Sequence, residues 1–193
     1  MKRDEGTRDR ILDVAQDLVQ RVGANGMSYQ DLSEAIGITK ASIHYHFPTK
    51  ADLLEALVRR YSAYFLGVVD RILASEGSGM EKLQRYTELF AATLAGSAGE
   101  KACPCGMLGA EAATLGDPTL LLLRDFYAEN DRRLQSMLEE GRQDGSIRFE
   151  GAASDVAAVL FTSLEGALLV SRVRGGVEGF RAVTAQLLRL LAP

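Results

Sequence analysis

An all-α fold in two domains is predicted for this 193-residue chain from three observations. Apolar residues recur at three- and four-residue spacing in segment after segment. No stretch alternates β-branched and polar residues as a strand would. Ser, Thr, Gly and Pro punctuate the helical segments at positions where helices start and stop.

The first helix is predicted from about Thr7 to Val22, with Ile11, Val14, Ala15, Leu18 and Val22 inward. Ser28 is a preferred N-cap, and Leu32, Ala35 and Ile36 then share one face. Gly37 ends that helix, because glycine takes the left-handed conformation at least cost; Ile38 tucks under the turn and Thr39 caps the next helix. From Lys40 to Phe47, inward Ala41, Ile43 and Phe47 leave Lys40, Ser42, His44, Tyr45 and His46 to solvent. Pro48 stops this helix, since the residue before a proline is pushed out of the helical region. Thr49, with Asp52 as its capping partner, opens a long helix from about Lys50 to Ser75. Two short helices joined by a three- to four-residue turn form a helix-turn-helix, a unit that reads DNA with its second helix.

Five further helical segments follow. One runs from Met80 to Ala95 after the break SEGSG, and a short one ends at Leu115. Gly116-Asp117-Pro118 starts a third, reaching about Arg142. The last two span about Ala153 to Arg174 and Val177 to Leu191, split by Gly175-Gly176, and their apolar surface, Leu168 and Leu187 included, calls for more than one partner face.

The stretch from Thr7 through Gly23 to Val58, with the core GITKASIHYHF and the ending HFPTK, resembles the DNA-binding domain of the TetR family of bacterial transcriptional repressors. Two positions depart from that pattern: Ala41 replaces a common glycine and His44 a common tyrosine. The resemblance implies a three-helix helix-turn-helix DNA-binding domain over residues 7–60 and a helical effector-binding and dimerisation domain over 61–193. It also implies a homodimer through the two C-terminal helices, with double-stranded operator DNA and a small-molecule effector as further partners. DNA contacts are expected from Ser28, Tyr29, Thr39, Lys40, Ala41, Ser42, His44, Tyr45, His46 and Lys50. Lysines at the ends of the reading helix suit phosphates, as do helix N-termini.

Charge is compatible with DNA without pointing to it. The net charge is −4, yet residues 1–60 carry nine Lys or Arg against nine Asp or Glu, so the acidic excess lies beyond them. Lys2, Arg3, Arg8, Arg10, Lys40 and Lys50 supply the first part with positive groups. There is no signal-peptide pattern and no apolar run near the ~20 residues that span a bilayer, so a cytoplasmic protein without a membrane partner is expected.

The second informative stretch is KACPCGMLGAEAATLGDPTL. Cys103 and Glu111 fall on a Cys-x-x-Gly-x-Leu-x-x-Glu run like that of electrophile-responsive and related ligand-sensing TetR proteins. A cysteine at a helix start has its thiolate favoured by the dipole, which makes Cys103 a candidate sensor; the other reading is a small buried pocket wall. Met107, Leu108, Leu122, Phe126, Tyr127 and Phe161 are candidates to line an apolar cavity, with Glu111 and Glu165 as polar anchors. No metal or other cofactor is expected. Cys103 and Cys105 cannot close a four-ligand zinc site alone, and His44 and His46, two apart on a helix, point away from each other. No nucleophile–base or paired-carboxylate pattern calls for an enzyme. The expected function is a ligand- or electrophile-responsive repressor that binds a pseudo-palindromic operator as a homodimer. The alternative is a helical small-molecule binder or enzyme without DNA activity.

Overall fold

The computed structural model describes residues 2–193, with side chains from Gly6 onward; the side chains of Lys2 and Arg3 lie outside the described residues. Among these residues there are nine α-helices, one 3-10 turn (Ala112–Thr114) and no strand. The helices are α1 (Lys2–Val22), α2 (Tyr29–Ile36), α3 (Lys40–His46), α4 (Lys50–Leu73), α5 (Gly79–Ala95), α6 (Pro104–Ala110), α7 (Asp117–Asp144), α8 (Ala153–Ser171) and α9 (Gly176–Arg189). The chain divides into two compact units: Met1–Ser62 with Pro104–Arg124, and Ala63–Cys103 with Asp125–Pro193. The sequence placed one boundary near residue 60; that 104–124 joins the first unit was not anticipated.

In the first unit, Ile11, Leu12, Ala15 and Val19 of α1, Leu32 and Ile36 of α2 and Ile43 of α3 are buried, with α1 packed on α2 and α2 on α3. The buried stripe of α1 is rotated from the expected one, and Val22 is exposed, as is Ala35 of α2. The capping signals act as read. Ser28 and Asp31 form a capping box, Gly37 is left-handed at φ 75°, and the Thr39 hydroxyl accepts from Ser42 N–H. Thr49 and Asp52 exchange bonds at the start of α4. Arg10 donates to the Ile36 carbonyl at 3.1 Å, satisfying one of the acceptors that a helix end leaves open. The guanidinium of Arg8 lies 5.1 Å above the Phe47 ring, so this cation is used inside the unit. Leu108 of α6 is fully buried, and α6 packs on α1.

In the second unit, α5, α8 and α9 pack on one another. The start of α5 lies so close to α7 that a Cβ at Gly79 would collide with the Gly141 backbone. Lys82 and Glu140 join the same two helices by an ion pair at 2.6 Å. Aromatic side chains fill the interior: Phe90 stands 5.9 Å from Phe65, 5.4 Å from Tyr86 and 6.4 Å from both Phe161 and Phe180, measured between ring centroids. By length and composition α8 qualifies as a membrane span. Its residues Ala157, Leu160, Phe161, Leu164, Ala167 and Leu168 are buried within this unit, while Val159 and Val170 stay exposed. Leu168, expected at a surface between subunits, is 0% exposed within a single chain.

Candidate nucleic-acid interface and effector site

Helix α3 is seated by two side chains, Ile43 and Phe47, both buried. That anchorage turns Thr39, Lys40, Ala41, His44 and Tyr45 outward, with Ser42 and His46 half-buried beside them. Tyr45 is 75% exposed. A large aromatic held in water at that level has no folding reason to be there. The Thr39 hydroxyl accepts from Ser42 N–H at 3.2 Å, which leaves its own proton for an outside acceptor. His44 Nδ1 lies 3.1 Å from the Pro48 carbonyl oxygen. A carbonyl only accepts, so Nδ1 carries the proton, and Nε2 of the neutral ring is an acceptor.

Three of the expected DNA contacts have work inside the fold. Ser28 gives its hydroxyl proton to Asp31 at 2.7 Å, so it has none for a phosphate. Tyr29 donates to the Phe47 carbonyl at 2.9 Å and sits 4.7 Å from the His44 ring. Burial, with Asp52 adding to it, pushes the Tyr29 hydroxyl up to about 12, so it keeps its proton. Lys50 donates to the Met27 carbonyl at 2.6 Å, tying the start of α4 to the loop before α2; its ammonium retains two further donors.

In the second unit a group of polar side chains is sealed among the aromatic rings. Tyr86 of α5 donates its hydroxyl proton to Asn130 Oδ1 of α7 at 2.9 Å. Nδ2 of that asparagine is out of solvent with no acceptor, and Asp131 Oδ1 and both carboxyl oxygens of Glu165 are out of solvent too, with the Cys103 thiol the neighbour of Glu165. Burial raises the Glu165 carboxyl well above the usual range, and the Cys103 thiol beside it raises it further. Tyr86 is raised by burial and then by Glu165, Cys103 and Asp131, against the lowering effect of the Asn130 bond. Asp131 is raised by burial alone.

Two family models match the chain: bacterial regulatory proteins of the tetR family over residues 11–57, and the C-terminal domain of LmrA/YxaF-like transcriptional regulators over residues 79–186. The chain belongs to the TetR family. Among relatives of this family, it is 25% identical to the transcriptional repressor DhaR of Mycobacterium sp. (strain GP1), covering 94% of this chain and 91% of that one. It is 26% identical to the regulator LmrA of Bacillus subtilis, covering 86% of each. A crystal structure of a TetR-family regulator from Agrobacterium tumefaciens superposes with a TM-score of 0.93 at 29% identity, covering 98% of this chain and 100% of that one. The chain is a DNA-binding transcriptional regulator of this family.

For a TetR protein, the residues expected to meet the effector are divided between the two compact units. Cys103, Phe126, Tyr127, Phe161 and Glu165 belong to the second; Met107, Leu108, Glu111 and Leu122 belong to the first. Cys103 lies beside Glu165, and the Tyr127 ring is 5.7 Å from Phe126 and 5.8 Å from Phe161. Glu111 differs from its expected role as a ligand anchor: its carboxylate accepts from the N–H groups of Ala24 and Asn25 at the end of α1. Cys103 is buried ahead of a seven-residue helix whose first residue, Pro104, has no amide to offer. Its carboxyl neighbour is the opposite of the basic groups that activate thiols, so these surroundings favour a buried member of the polar cluster over a reactive thiolate. Tyr86, Phe90, Asn130 and Asp131 were missed. Their signal was the four-residue spacing that puts Tyr86 with Phe90, and Phe126 with Asn130, on one helix face.

Proposed function

We propose that two copies of this chain, joined through α8 and α9, set their α3 helices into successive major grooves of a pseudo-palindromic operator. A small molecule taken up at Tyr86, Asn130 and Glu165 then favours a separation of the α3 helices that misses the grooves. The observation that carries this reading is the outward set Thr39, Lys40, His44 and Tyr45, held on the buried anchors Ile43 and Phe47. Ser28, Tyr29 and Lys50 act behind that face as its scaffold. Release of DNA needs only a difference in effector affinity between the two arrangements.

The pairing surface comprises Val159 and Val170 of α8, 65% and 58% exposed, with Val173 one turn on, and Val183 of α9, 46% exposed. Val159, Gly166 and Val170 repeat at helical spacing along α8, so they form one stripe, and Val173 lies in the turn just beyond it. The protein acts in the cytoplasm and catalyses no reaction. Gel shifts with fragments of the gene's own upstream region test this reading. A fragment retarded at nanomolar dimer, with a steep loss on raising salt, is expected. Binding to no such fragment would set it aside.

A further inference from the structure

We propose that the polar recess of α5, α7 and α8 recognises an organic cation. The ligand is a compact ammonium compound whose positive centre pairs with Glu165 and whose hydrogen-bond acceptor, where it has one, takes Asn130 Nδ2. This rests on reading the second unit as the effector-binding part.

Three observations carry it. The first is the set of orphaned atoms. Asn130 is fully buried, yet its Nδ2 has no acceptor; Asp131 Oδ1 is likewise sealed without a donor, and the buried Glu165 carboxyl has only the weakly bonding Cys103 thiol beside it. Each such atom costs about 1–3 kcal/mol against a satisfied one, so several gathered around Tyr86 mark a place where something else completes the bonding. The second is the sign of the field. Every titratable group that acts on Tyr86 (Glu165, Cys103, Asp131) is an acid, and no basic side chain among the described residues acts on Glu165 or Asp131. Lys82 of α5 pairs with Glu140, and Arg133 of α7 with Asp70 and Glu129. The third is the wall. Glu165 follows Phe161 by one helical turn, and the rings of Tyr86, Phe90, Phe161 and Tyr127 run in that order at centroid distances of 5.4, 6.4 and 5.8 Å. Ring faces attract a desolvated cation.

These features rank the ligand classes. An anion would meet only acids and no positive partner. A neutral molecule could satisfy hydrogen bonds but would make no use of the acidic field. A cation favours the ionised form of Glu165 and gives that buried carboxylate an ion-pair partner.

The test is a charge series on one skeleton: 2-phenylethylamine, 2-phenylethanol and phenylacetate, titrated calorimetrically into wild type, Glu165→Gln and Tyr86→Phe. The amine should bind at least about tenfold more tightly than the alcohol, and phenylacetate should not bind. Glu165→Gln should cut amine affinity by about tenfold or more while leaving the alcohol unchanged. The comparison on wild type stands even if a variant fails to fold. Alcohol binding as tight as the amine, phenylacetate binding best, or no amine binding at millimolar concentration would each overturn the proposal. Gel shifts in parallel separate the two readings. Operator binding without amine binding removes the ligand class alone, and amine binding without operator binding removes the repressor reading alone.

Discussion

Glu111 stands directly on Gly23. Its carboxylate takes the amide protons of Ala24 at 2.7 Å and Asn25 at 3.1 Å, and a Cβ at Gly23 would overlap its Oε1. Gly23 is therefore held to glycine twice over, by its φ of +78° and by this carboxylate. The segment carrying Glu111 is thus bound into the DNA-reading unit although it lies far along the chain from α1.

Glu111→Ala should destabilise the first unit by about 2 kcal/mol, since two amides lose a charged acceptor. Gly23→Ala should cost about 1–2 kcal/mol from the left-handed backbone, with the overlap added. Because the overlap vanishes in the Glu111→Ala background, the double variant should be more stable than the sum of the single losses implies. Urea denaturation followed by circular dichroism decides it. Unchanged stability in Glu111→Ala would return this residue to the list of ligand anchors.

Lys40→Ala should reduce the slope of log affinity against log salt by about one while leaving folding intact, as expected for a surface lysine facing phosphate. Lys50→Ala should instead lower thermal stability, because its bond to the Met27 carbonyl at 2.6 Å is lost. Its effect on DNA should follow that loss of stability. Gel shifts at two salt concentrations, run beside melting curves, separate the two lysines. An unaltered melting point for Lys50→Ala would assign it to DNA alone.

Local signals were the legible part of this fold. Ser28, Gly37, Thr39 and Pro48 act through neighbours within three or four residues, so α2, α3 and the start of α4 could be read directly. The same spacing placed Lys40, His44 and Tyr45 outward and Ile43 and Phe47 inward, but Ala41, expected inward, is exposed, and Ser42 and His46 are half-buried. The bonds of Glu111 could not be read, since Ala24 and Asn25 are distant in sequence and nothing in the run around Glu111 names them. Glu165 stood out as a lone acid in an apolar helix, whereas its companions Tyr86 and Asn130 sit in mixed segments where polar residues usually face water. Their inward phase depends on how α5, α7 and α8 pack, which is tertiary information. Leu168 failed for a related reason: apolar composition marks α8 as doubly covered without saying which stripe faces the core.

Glu165→Gln should change how stability depends on pH. In the folded protein burial, then the Cys103 thiol, holds this carboxyl above its ordinary value of 4.5. Its contribution to stability is therefore fully present below that ordinary value and is lost as pH rises toward the folded one. Glutamine does not ionise, so the variant should gain on wild type steadily from about pH 4.5 upward. Asp31, Asp70, Glu129 and Asp144, all lowered, slope the other way, but they are common to both proteins and cancel in the difference. Denaturation midpoints from pH 4 to 8 give the comparison. Parallel curves would show that Glu165 is solvated in solution.

Assembly can be tested with two kinds of aspartate. Val170 and Val183 are exposed in the single chain, so Val170→Asp with Val183→Asp leaves each monomer's core untouched. In a dimer paired through α8 and α9 the same charges would be buried without partners, at a cost of several kcal/mol per interface. The double variant should therefore be folded, monomeric and unable to retard operator DNA, because two linked reading helices are what span the palindrome. Leu168→Asp should behave differently: at 0% exposure its charge enters the core of the second unit, and the protein should lose its cooperative melt before any question of dimerisation arises. Analytical ultracentrifugation with circular dichroism distinguishes the two fates. A stable dimer carrying both valine substitutions would move the interface off this stripe of α8 and α9.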